Sequence, residues 1–127
     1  MKRSNPATLH VPTGYTHVVE AIPRRTIYVS GQVAFDHAGT LVGPGDLRAQ
    51  TDQVFTNLRT ALESCSATLE NVAKITVFML DATQIQTYRE VRDRYFTRGL
   101  PASTLVQVSR LARPEWMIEI EAIAVIE

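Results

Sequence analysis

The residues best suited to chemistry lie near the C-terminus. From Met117 to Ile126 the chain alternates as a β-strand does. Ile118, Ile120, Ala122, Ala124 and Ile126 share one face, assigned to the helix side; Met117, Glu119, Glu121, Ile123 and Val125 share the other. That second face sets two carboxylates among hydrophobic side chains. An unpaired charge is expensive to bury, so a covered face keeps such groups only beside a partner or a ligand. A carboxylate held there is raw material for general acid–base work. Two readings stay open. Glu119 and Glu121 either lie in solvent near the start of the strand, or they line a polar cleft where copies of the chain meet.

Other reactive residue types carry less. His10, His17, His37 and Cys65 have no metal-ligand spacing, so no metal site is expected. Ser30, Ser103 and Ser109 have no evident histidine–acid partner that would make a nucleophile. Gly43-Pro44-Gly45 lacks the lysine and hydroxyl of a phosphate loop. Cys65 ends an apolar helical stripe and reads as a core thiol; as the single cysteine it excludes an intrachain disulfide, which is compatible with a reducing compartment. Thirteen basic residues balance thirteen acidic ones, leaving no electrostatic footprint for nucleic acid or an anionic membrane. No apolar run suits a signal peptide or the roughly 20 residues of a membrane span, so a cytoplasmic protein is expected.

The elements that must position these residues follow from patterning. The 127 residues fit one domain, with 1–14 polar, proline-bearing and loosely ordered. Thr26 to Ser30 reads as a strand, with His17 to Ile22 as a candidate partner through a turn at Pro23-Arg24-Arg25. Asp46 is placed to cap a helix from Leu47, whose stripe is Val54, Phe55, Leu58, Ala61, Leu62 and Cys65. Ile75 to Leu80 reads as a strand covered on both faces. A second helix starts after Asp81 or Thr83. Ile85, Tyr88, Val91, Tyr95 and Phe96 are assigned to its apolar side; Arg89, Glu90, Arg92, Asp93 and Arg94 to its polar side, with Arg89–Asp93 and Glu90–Arg94 as i,i+4 pairs. Gly99 is expected to end it, and Pro101 blocks continuation. Thr104 to Ser109 is a further strand. Two helices cover only one face of such a sheet, so the other meets solvent or another subunit.

Several segments, in order, resemble one family. They are Ile27-Tyr28-Val29-Ser30-Gly31-Gln32; Gln53 with Asn57-Leu58; Leu69 to Phe78; Leu100-Pro101-Ala102; Val106 to Leu111; and Ile118 to Val125. From about residue 14 to the end the chain resembles the RidA (YjgF) family. The resemblance implies an α+β, chorismate-mutase-like subunit of order ββαβαββ, with two helices on one face of a mixed sheet. It implies a barrel-like homotrimer with small-molecule clefts between subunits and no metal or organic cofactor. Family members with the full site hydrolyse 2-imino or enamine acids to 2-oxo acids and ammonia.

Carried over by position, Glu119 matches the carboxylate that orients the attacking water, Ser30 and Gly31 match the strand end lining the cleft, and Tyr15 matches an aromatic lid. Arg89 stands where many members have asparagine. Ser103 is the departure: active members read Pro-Ala-Arg at this point and this chain reads Pro101-Ala102-Ser103. The missing arginine forks onto the substrate carboxylate, and a serine supplies neither the charge nor the reach. Losing one partner of such a pair costs about 2–5 kcal/mol. Efficient hydrolysis of 2-iminobutyrate or 2-iminopropionate is therefore not expected. The reading is a deaminase or hydrolase of a related imine, enamine or similar small metabolite. The alternative is a non-catalytic module that binds a small molecule in the same cleft. A ribonuclease or translation inhibitor, as some relatives have been described, ranks third because the charge balance gives it no support.

Overall fold

A computed structural model describes all 127 residues. The strands are β1 (Lys2–Ser4), β2 (Val18–Glu20), β3 (Arg25–Gln32), β4 (Val72–Met79), β5 (Ala102–Gln107) and β6 (Ile118–Ile126). The helices are α1 (Leu47–Glu63) and α2 (Ile85–Tyr95). Four strands form a mixed sheet in the order β3-β6-β4-β5, antiparallel except for the β4–β5 pair. Both helices pack on one face, as the sequence predicts.

The capping and stripe arguments account for α1. Asp46 Oδ1 accepts from Ala49 N at 3.0 Å, and Val54, Phe55, Leu58 and Leu62 are buried against Ile75, Val77, Met79, Ile118 and Ile120. Removing each such side chain from water contributes about 1.5–3 kcal/mol. Phe55 also ties the helices together, with its ring 6.2 Å from Tyr88, 5.1 Å from Tyr95 and 5.8 Å from Phe96. Ile118, Ile120, Ala122 and Ala124 face the helices as expected. The open face carries Thr26, Tyr28 and Ser30 of β3, Thr76 and Phe78 of β4, Thr104 and Val106 of β5, and Glu119, Glu121 and Ile123 of β6. Tyr28 is 78% exposed there.

Five local expectations are corrected. β2 pairs with β1 in a separate two-stranded sheet, not with β3. The N-terminus is ordered, because Arg3 donates to Leu100 O at 3.2 Å and Glu70 O at 3.0 Å and so pins β1 to the body. On α2, Arg92 lies on the buried side; Glu90 pairs with Arg48 of α1, Asp93 with Arg92, and Arg89 with nothing. Gly99 does not end the helix, which stops at Tyr95 with Phe96 as its C-cap; Gly99 turns in the loop at φ +58° with the Arg3 guanidinium against it. Cys65 is half-buried just past the end of α1 rather than in the core.

Candidate functional site

A β-bulge builds the first part of the site. Val29 pairs with Ala122 and Gln32 with Ile120, so Ser30 and Gly31 oppose one residue of β6 and bend β3 toward Glu119. Gly31 is required by space and not by backbone angle: a Cβ there would stand 2.1 Å from Glu119 Oε1. Glu119 is half-buried on the open face beside Phe78. Its carboxylate makes no hydrogen bond or ion pair within the chain, so both oxygens stay available to an incoming donor. Two amides of α1 support the bulge from behind. Asn57 Nδ2 donates to Val33 O at 3.0 Å and Phe35 O at 2.8 Å, and Gln53 Nε2 donates to Asn57 Oδ1 at 2.8 Å. Gly31, Gln32, Phe35, Gln53 and Asn57 border an open depression of about 690 Å³ at this end of the sheet.

The second part lies at the other edge of the sheet, at the start of β5. Thr16 bridges to Ala102, with its N–H donating to Pro101 O at 2.9 Å and its hydroxyl to Leu100 O at 2.8 Å. This anchors Gly14 and Tyr15 beside β5. The Tyr15 hydroxyl bonds His10 Nε2 at 2.7 Å, and the ring meets His17 edge-on at 5.3 Å. Ser103 pairs in register with Ile75 and so faces the helices. There it looks onto Tyr88 and Arg92. Arg92 Nε and Nη2 donate to Asp93 Oδ1 at 3.0 and 2.7 Å, and its guanidinium lies 5.7 Å from the Tyr88 ring centre. Ser103 and Arg92 face the Tyr88 hydroxyl without reaching it in hydrogen-bond geometry, leaving that oxygen buried and unpartnered. Burial is the main cause that pushes the Tyr88 phenol up to about 12.

The structure thus brings Glu119 and Gly31 together at the bulge that also holds Ser30, on the open face, and sets Ser103 on the helix side at the start of β5, where Thr16 bridges to Ala102 and carries Tyr15 alongside. Arg89 is half-buried on α2 and bonds to neither group. Within a single chain no small ligand touches both parts. Sequence reasoning did not single out Arg92 and Tyr88, which the structure sets beside Ser103. The available signal was an arginine one turn beyond Tyr88, on the buried side of α2. No group of three or more metal-binding side chains is present.

The fold, with two helices behind a β3-β6-β4-β5 sheet, has close counterparts. The profile of the family described as Endoribonuclease L-PSP matches residues 6–126. The chain belongs to the RidA/YjgF (Rid) family. A crystal structure of a Rid protein of unknown function from Yersinia pestis superposes on this Rid chain with a TM-score of 0.91 at 34% identity, covering 98% of each chain. The YjgF product of E. coli superposes at 0.74 and 31%, covering 89% of this chain and 88% of that one. The 2-iminobutanoate/2-iminopropanoate deaminase of Mus musculus is 39% identical over 101 residues, 80% of this chain and 74% of that one. Family membership fixes the fold class, and some of its members are imine deaminases. No helix of this Rid chain is long and apolar enough to cross a membrane.

Proposed function

We propose that this Rid protein is a cytoplasmic homotrimer in which the open face of one copy meets the β5 edge of the next, and that the resulting clefts hydrolyse an imine or enamine of a small metabolite. The unpartnered Glu119 carboxylate over Gly31 carries this reading. A carboxylate there takes a proton from water as the water oxygen bonds to the imine carbon. The C=N electron pair moves to nitrogen, which takes that proton to give a carbinolamine; the carboxylate then carries the hydroxyl proton to nitrogen as the C–N bond breaks and the C=O bond forms, and a carbonyl compound and ammonia leave. Each such positioned proton transfer is worth about 10²–10⁴ in rate. The half-apolar open face, with Tyr28, Phe78 and Ile123 on it, supports burial between copies. Tyr15 covers the ligand from the β5 edge. No cofactor enters the scheme.

Ser103 favours a second reading, a cleft that binds a metabolite without turning it over, because the position that would fork onto a substrate carboxylate holds no cation. The two readings separate on Glu119→Gln, assayed across a panel of imines with light scattering to check the trimer. A catalytic cleft keeps the trimer and loses about 10²–10⁴ in kcat. A binding cleft shows a change in affinity alone. Unchanged turnover and affinity would refute any role for Glu119. A ribonuclease reading has no support in the charge balance, with a formal net charge of zero.

A further inference from the structure

One cluster behind β5 packs into the core yet leaves polar groups unpaired. Arg92 is 5% exposed and Tyr88 2%. Asp93, whose side chain is 61% exposed, takes only the Nε and Nη2 edge of the guanidinium. The Tyr88 hydroxyl is buried without a partner, while Nη1 and the hydroxyl of the half-buried Ser103 bond to nothing in the chain and are not shut off from solvent. Buried polar groups are otherwise almost always paired, and a buried cation with one solvent-facing counter-ion is incompletely neutralised. Gly14 backs the group: a Cβ there would stand 1.8 Å from Nη2 and 2.8 Å from Nη1, so the main chain at 14 closes directly over the guanidinium. Three donors that bond to nothing in the chain converge there, beside a positive charge that the exposed Asp93 meets only from the Nε and Nη2 edge. That set fits the two oxygens and single charge of a carboxylate.

We propose that Arg92 Nη1, Tyr88 Oη and Ser103 Oγ form the carboxylate subsite of this protein, with Gly14 and Tyr15 as its cover. The proposal rests on the cleft reading for the class of ligand. It supplies from α2 the cation that position 103 lacks.

The test is binding, read apart from turnover. The full-length protein is titrated with propionate, 2-oxobutyrate and the uncharged propionamide by calorimetry or ligand-observed NMR. Both carboxylates are expected to bind and propionamide not. Arg92→Met is expected to weaken carboxylate binding at least 30-fold, and Tyr88→Phe and Ser103→Ala by about 10-fold each. The double variant Arg92→Met with Ser103→Arg is expected to regain part of the affinity, because the fork returns from the strand side. If Arg92→Met does not fold by circular dichroism, Tyr88→Phe and Ser103→Ala carry the test. Wild-type affinity in the folded variants overturns the subsite, as does equal binding of propionamide or no saturable binding of carboxylate at millimolar concentration. Binding that depends on Arg92 with no turnover on any imine upholds the subsite and removes the enzyme reading; turnover with binding indifferent to Arg92 does the reverse.

Discussion

Replacing Tyr88 by Phe removes one oxygen and nothing else. That oxygen is buried, and no donor or acceptor reaches it. A buried polar group left unmatched costs about 1–3 kcal/mol, whereas an apolar group of the same shape costs nothing of this kind. The ring itself stays packed 6.2 Å from Phe55 and under the Arg92 guanidinium at 5.7 Å, so the core contacts survive. Tyr88→Phe should therefore stabilise the protein by about 1–3 kcal/mol. At about 2.1 cal/mol/K per residue, a chain of this length has an unfolding entropy near 0.27 kcal/mol/K, so Tm should rise by about 4–11 °C. Differential scanning calorimetry at one fixed protein concentration measures it, since assembly makes Tm depend on concentration. A Tm that falls would refute the reasoning, because it would mean that the hydroxyl is well bonded in solution. A rise together with loss of carboxylate binding would identify the hydroxyl as kept for a ligand at the expense of stability.

The same phenol predicts an alkaline limb. Its pKa, raised to about 12 mainly by burial, means that the folded state holds the proton more tightly than the unfolded chain does at about 10. This contribution is present below pH 10 and disappears as pH rises from 10 to 12, by about 3 kcal/mol in all; urea melts at pH 9 and 11 should show wild type falling further below Tyr88→Phe at the higher pH, and a gap that narrows or stays constant would refute it. Gly31→Ala should push Glu119 Oε1 from 2.1 Å out to ordinary contact at 3.4 Å, a displacement of about 1 Å that lowers turnover by about 100-fold with little change in Tm. Steady-state kinetics beside a thermal melt reads both, and unchanged kcat would mean that the carboxylate position is immaterial. Asp46→Ala removes the acceptor for Ala49 N and should cost about 1 kcal/mol, visible as a shift in urea midpoint with an unchanged slope.

What the chain reveals of itself depends on how local the cause is. The start of α1 was legible because Asp46 caps it within three residues, and the faces of β6 because alternation needs no partner. The pairing of β2 was not, since Arg3 decides it through bonds to Leu100 and Glu70, far along the chain. Arg92 was assigned to the polar side of α2 by its charge. In the structure its aliphatic stem goes inward, Asp93 meets one edge of the guanidinium and Gly14 lets the main chain close over it. Glu119 could be singled out from its apolar neighbours. Its separation from Ser103 by the full sheet could not, because that depends on the β4–β5 register.

The sheet order has a consequence for folding. β6, the last strand of this sheet in chain order, is the one that pairs with both β3 and β4. Until residues 118–126 are in place, β3 has no neighbour in the main sheet, and β4 has only β5 beside it. A chain in which β6 has not yet docked exposes the pairing edges of both β3 and β4, the kind of edge to which another chain can add. Closure of the sheet waits on pairings of high sequence separation, Arg25 with Ile126 among them, and it is such non-local pairing that slows folding.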